Sequence, residues 1–93
     1  MIAHNESKDL QKMLHDAVYE SPVYINKEDK SKAKTIMNIN KLLIKTASQS
    51  RVKHKEDMTA EEIQKLEYLE HKTIALLHEG KNYQEIRSVL LND

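Results

Sequence analysis

The sequence predicts an all-α fold, a small domain of four helices with one long basic helix. Three observations predict it. The 93 residues contain a single Gly and a single Pro, while Leu, Lys, Glu, Ile and Ala abound, so helix breakers are scarce and helix formers plentiful. Apolar residues recur at three- and four-residue spacing through four stretches. Capping residues, the proline and the glycine fall between those stretches rather than inside them. A chain of this length reads as one domain, residues 1–93. It can bury only about two-thirds of its unfolded surface, so self-association or a partner is an expected source of further stability.

Helix 1 is expected over about residues 7–20, where Leu10, Met13, Leu14, Ala17 and Val18 share a face. Ser21-Pro22 ends it, because the residue before a proline is pushed out of the helical region. Pro22-Val23-Tyr24-Ile25 is then expected to be an extended connector folding its apolar side chains onto the core. Helix 2 is expected over 26–48, with Asn26 as its cap and Glu28 and Asp29 in the positive first turn. At about 100° per residue, Ala33, Ile36, Met37, Ile39, Leu43, Ile44 and Ala47 occupy an arc of about 160°. Asn40 lies inside that arc and Leu42 points away from it.

Residues 49–57 lack apolar periodicity and are expected to be a mobile linker. Helix 3 follows over 59–79. Thr59-Ala60-Glu61-Glu62 has the pattern of a capping box, and Met58 and Ile63 stand where a hydrophobic staple would place them. Ile63, Leu66, Leu69, Thr73, Ile74, Leu76 and Leu77 form its core face, with Glu70 among them. Gly80 suits the left-handed residue that closes a helix. Asn82 should cap helix 4, over 82–91, with Glu85 three residues on and Tyr83, Ile86, Val89 and Leu90 on its apolar side.

The formal net charge of zero is a cancellation between segments. Residues 26–55 hold nine Lys or Arg against two acids, a balance of +7. Residues 56–93 hold nine acids against four bases, and residues 1–25 four against two. Segregated charge either pairs within the fold or is offered to a partner. On helix 2, Lys27, Lys30, Lys34, Lys41 and Lys45 fall within about 60° of one another. With Arg51, Lys53 and Lys55 they form the candidate surface for a protein partner or for nucleic acid, since a row of lysines can track phosphates. Only Arg51 in this segment carries the guanidinium suited to bidentate readout of guanine or phosphate.

Two stretches resemble helix-turn-helix DNA-binding domains. Ile74-Ala75-Leu76-Leu77-His78-Glu79-Gly80-Lys81-Asn82-Tyr83-Gln84-Glu85-Ile86-Arg87-Ser88-Val89-Leu90 is similar to their opening: a helix, a glycine turn, a capping residue and a Glu-Ile pair leading into the second helix. Arg87 stands where the family usually has a small residue, and no third, recognition helix follows before Asp93. Ala47-Ser48-Gln49-Ser50-Arg51-Val52 resembles the start of such a recognition helix, but Lys53, His54 and Lys55 follow where apolar residues are expected. The matches cover about a quarter of the chain, in the reverse of the family's order. The resemblance implies DNA binding.

Asn40 and Glu70 are candidate specificity residues, because a polar group on an apolar arc is costly unless it finds a partner. A buried Asn can fix register, and a buried Glu can pair with a cation. Leu42 and Tyr68 face away from their helices' core arcs and are candidate interface residues. Glu67 and His71 are four apart, close enough to share a metal, and His78 lies two turns beyond His71; with no third ligand at helical spacing, no metal is expected. Cys is absent, which excludes disulfides, thiol nucleophiles and zinc–thiolate sites. No catalytic residue and no cofactor is expected. No stretch reads as a secretion signal or a membrane span, so the expected location is the cytoplasm.

Lys outnumbers Arg 13 to 2, which points to an AT-rich genome such as that of a low-GC bacterium or its phage. The resulting expectation is a non-enzymatic adaptor or inhibitor, phage or mobile-element encoded, that binds a protein through a helical surface, with dimer formation included. The alternative is a nucleic-acid-binding regulator using residues 27–55.

Overall fold

Helix α1 spans Ile2–Glu20, α2 Asp29–Ala47, α3 Ala60–His78 and α4 Tyr83–Leu91, with a short 3-10 turn at Lys55–Asp57. The computed structural model describes residues 2–92, with side chains from Asp9 onward. Among these the fold is all-α, with no strand. Helices α1, α2 and α3 are 19 residues each. Helix α3 is the hub and packs against the other three; α1 lies along it most closely, and α4 also rests on α2.

The helices take these positions because their apolar faces converge. Leu14 and Val18 of α1, Ile39 and Leu43 of α2, Leu69 and Leu77 of α3 and Ile86 of α4 are all but inaccessible. The radius of gyration, 12.8 Å, is close to the ~12 Å of a compact domain of this length. Helix α3 starts at a reciprocal capping box: Glu62 N–H donates to Thr59 Oγ1 at 3.2 Å, and Thr59 N–H donates to Glu62 Oε1 at 2.8 Å. Helix α4 repeats the device with Asn82 and Glu85. One more donor at its start is satisfied across the fold, where Tyr83 N–H donates to the Tyr24 hydroxyl at 2.9 Å.

Several expectations are corrected. Helix α1 begins at Ile2, earlier than residue 7. Helix α2 begins at Asp29 behind Glu28, whose side chain makes no capping bond, so Asn26 is not its cap and Lys27 precedes the helix. The stretch after Pro22 is not extended. Tyr24 and Ile25 both donate backbone N–H groups to the Ser21 carbonyl, at 3.0 and 2.8 Å, and proline's fixed φ suits the second position of such a turn.

Residues 49–57, expected as a mobile linker, carry a short 3-10 turn and side-chain bonds to α3. Arg51 donates from Nε and Nη2 to the two carboxylate oxygens of Glu62, and from Nη2 to the Asp57 carbonyl at 3.1 Å. The loop is thereby tied to the first turn of α3.

The buried arc of α2 is also rotated from the expected one. Lys32, Ile36, Ile39, Leu42, Leu43 and Ala47 are buried, while Ala33 is exposed and Met37 is 51% exposed. The shift is toward the Leu42 side, where α4 packs. Leu42, expected to point away from the core, is instead buried, 7% exposed. Lys32 enters the buried arc by laying its aliphatic stem inward, with Nζ 4.9 Å from the centre of the Tyr19 ring. Met13, expected on the core face of α1, is exposed.

Candidate functional site on the basic face of α2 and α4

The positive surplus of residues 26–55 divides into structural and surface parts. Lys32 is buried against Tyr19. Arg51 is held by Glu62, whose carboxyl is lowered to about 2, first by the Arg51 hydrogen bond and then by the Thr59 backbone N–H. Lys55 is half-buried and its charge acts on Glu70. Lys27, Lys30, Lys34, Lys41, Lys45 and Lys53 are exposed. Of the expected stripe, Lys30, Lys34, Lys41 and Lys45 lie on α2, on the flank opposite its buried arc.

Two grooves adjoin the C-terminal half of that row. The first, about 470 Å³, lies between α2 and α4, and its walls include Leu42, Thr46, Tyr83, Arg87 and Leu91. The second, about 520 Å³, lies between α2 and the following turn, and its walls include Ile44, Val52, Lys53 and His54. Lys41, Lys45 and Ser50 line both. Among the described residues, no carboxylate lines either. Helix geometry explains the arrangement. At about 100° per residue, Lys41 and Lys45 project between Ile44 on one side and Leu42 on the other, so the two lysines form the ridge between the grooves.

The turn beside this ridge has unusual backbone. Gln49 and Ser50 both have positive φ, 54° and 66°, in the left-handed region that non-glycine residues seldom adopt. Ser50 N–H donates to the Lys45 carbonyl at 2.8 Å and Gln49 N–H to the Thr46 carbonyl at 3.4 Å. This is the pair of bonds that closes a helix C-terminus around a left-handed residue. The same pair recurs after α3, where the left-handed residue is Gly80 at φ 85°. At α2 the motif instead presents two side chains to the grooves.

The candidate specificity residues Asn40 and Glu70 come together through a residue that sequence reasoning missed. Gln11 Nε2 donates to Asn40 Oδ1 at 3.2 Å and to Glu70 Oε2 at 3.0 Å, joining α1, α2 and α3. Gln11 projects only about 20° from buried Val18 on the α1 wheel, the signal that could have found it. Glu70 is fully buried and its Oε1 has no partner among the described residues. Burial pushes its carboxyl above the usual range and Glu67 adds to the rise, while Lys55, the Gln11 bond and His71 oppose it. This cluster links three helices and opens to no groove described above.

Tyr68 is 55% exposed, with Lys72 Nζ 5.9 Å from its ring centre. Among the described residues, no group of three His, Cys, Asp or Glu could hold a metal ion, and no helix is long and apolar enough to cross a membrane. Comparison of the chain with protein-family models, with curated proteins and with solved structures finds no match.

Proposed function

We propose that the protein is a non-enzymatic binding module that engages an acidic protein partner through the face formed by α2, the 48–54 turn and α4. The observation that carries this reading is the pair of grooves meeting along Lys41 and Lys45, lined also by Lys53 and Arg87, with no carboxylate among the described residues of either wall. Such a face repels cationic surfaces and steers anionic ones toward it. Its apolar walls favour a polypeptide over a phosphate backbone, since side chains such as Ile44, Val52 and Leu91 gain little from phosphates and much from apolar groups. Arg51, the one guanidinium of the 26–55 segment, is already engaged by Glu62.

Photo-crosslinking from residue 53 or 91 in cells of the source organism tests the reading. The expected result is an adduct with a protein, captured at an acid-rich segment and lost when Lys41→Glu and Lys45→Glu are combined. Adducts with nucleic acid alone, or protein adducts indifferent to that charge reversal, would overturn it.

A further inference from the structure

Resting on that reading, we infer that the partner segment is acidic with two apolar anchors: one anchor enters each groove, and a carboxylate between them meets the Lys41–Lys45 ridge. Three features of the face lead to this pattern. The grooves are separate but share Lys41, Lys45 and Ser50, so a single ligand that crosses the ridge passes from one apolar site to the other over two ammonium groups. Each groove also carries a cation in the wall away from the ridge, Arg87 on α4 in the first and Lys53 after the turn in the second. The face therefore interleaves apolar groups with cations, the ridge ammonium groups lying between the two apolar sites. A complementary segment interleaves acidic and apolar residues.

The third feature is the Gln49–Ser50 turn. Two successive left-handed non-glycine residues are strained, and strained backbone held in place by its surroundings is a recurrent property of binding sites. Gln49 lines the first groove and Ser50 lines both, so the strain presents two polar side chains at the point where the segment crosses. The Thr46 hydroxyl, in the wall of the first groove, is buried without a hydrogen-bond partner.

The test uses fluorescein-labelled acidic peptides of equal charge, each carrying two leucines at one of several spacings, with a control in which both leucines are serines. Fluorescence anisotropy reads the affinity for the full chain. One spacing is expected to bind at least about tenfold tighter than the serine control. Leu91→Asp lies at an exposed position, so the fold is expected to survive, as circular dichroism would verify; it should reduce that peptide to the affinity of a single-leucine peptide. Lys41→Glu combined with Lys45→Glu should abolish binding of every acidic peptide.

Equal binding of leucine and serine peptides at all spacings, still lost on charge reversal, would overturn the two-anchor inference and leave the acidic-partner reading standing. Failure of all the peptides to bind, or binding indifferent to the charge reversal, would overturn both. Tighter binding of a duplex DNA probe than of any peptide would also overturn both, in favour of nucleic acid.

Discussion

Replacing Gln49 with glycine should stabilise the protein, although it removes a side chain and adds flexibility. The two helix ends that share one closing motif allow the magnitude to be worked out. At Gly80 the left-handed conformation is cost-free, and a Cβ built there would meet nothing within 4 Å, so any penalty for a side chain at that position is purely one of backbone conformation. At Gln49 the same kind of conformation, φ 54°, carries a Cβ and costs about 1–2 kcal/mol. Glycine removes that strain but adds about 0.4–1 kcal/mol of unfolded-state freedom to be lost on folding. The net expectation for Gln49→Gly is a gain of about 1 kcal/mol, and for Gly80→Ala a loss of about the same size. In a domain this small either corresponds to a shift in Tm of roughly 4–8 °C.

Urea denaturation followed by circular dichroism, with both variants and the parent measured together, reads the two changes on one scale. A Gln49→Gly variant no more stable than the parent would refute the strain at this turn. So would a neutral Gly80→Ala, because the two positions are argued from the same geometry. The pairing also bears on function: if glycine stabilises position 49, the retention of glutamine there is an expense in stability, and the groove it lines is the reason offered.

Other perturbations separate the roles of the polar groups. Because the folded-state value of Glu70 lies above the ordinary 4.5, the folded protein binds more protons, and stability is complete below that pH and falls as pH rises through the folded value. Glu70→Gln should remove this fall and leave the variant more stable than the parent at neutral pH, as a pH series of urea midpoints would reveal; an unchanged slope would refute it. Glu62 has the opposite sign: held down to about 2, it should stabilise above 4.5 and lose that contribution as pH falls toward 2, a loss absent in Arg51→Ala if the guanidinium is its main source. Leu42→Ala should cost about 2–5 kcal/mol as a core truncation, whereas Tyr68→Ala should stay within about 1 kcal/mol; equal effects in thermal unfolding would refute the placement of Leu42 in the core.

The parts of this fold legible in the sequence are those whose causes are local. The capping boxes at Thr59–Glu62 and Asn82–Glu85 need only residues three apart, and Gly80 needs only a helix that must end. The core face of α3 was legible because it is the hub, so its own apolar stripe coincides with what its neighbours cover. Helix α2 has a neighbour on its flank, and there the wheel failed. Its apolar residues alone point toward Met37 and Ile44, but α4 arrives on the other side, burying Leu42 and leaving Met37 in solvent. No pattern within α2 encodes that arrival. The 49–57 segment failed for a different reason: absence of apolar periodicity looks the same whether a segment is loose or is held by polar bonds, and Arg51 with Glu62 makes it the second kind.

The charge segregation shows the same limit. Counting assigns +7 to residues 26–55 but cannot allocate it among purposes. Packing sets Lys32 over an aromatic ring and pairs Arg51 with a capping carboxylate. What remains is a lysine row whose C-terminal half, Lys41 and Lys45, is the half flanked by grooves and by the strained turn. Lys30 and Lys34, equally exposed on the same flank, line neither groove. Reversing their charge should therefore weaken binding only through the general field, in a way that added salt removes. The same reversal at Lys41 and Lys45 should act through direct contacts and persist at high salt. A salt series on the two double variants reads the difference, and coincident curves would mean that the row acts as a uniform basic stripe and that the grooves take no part.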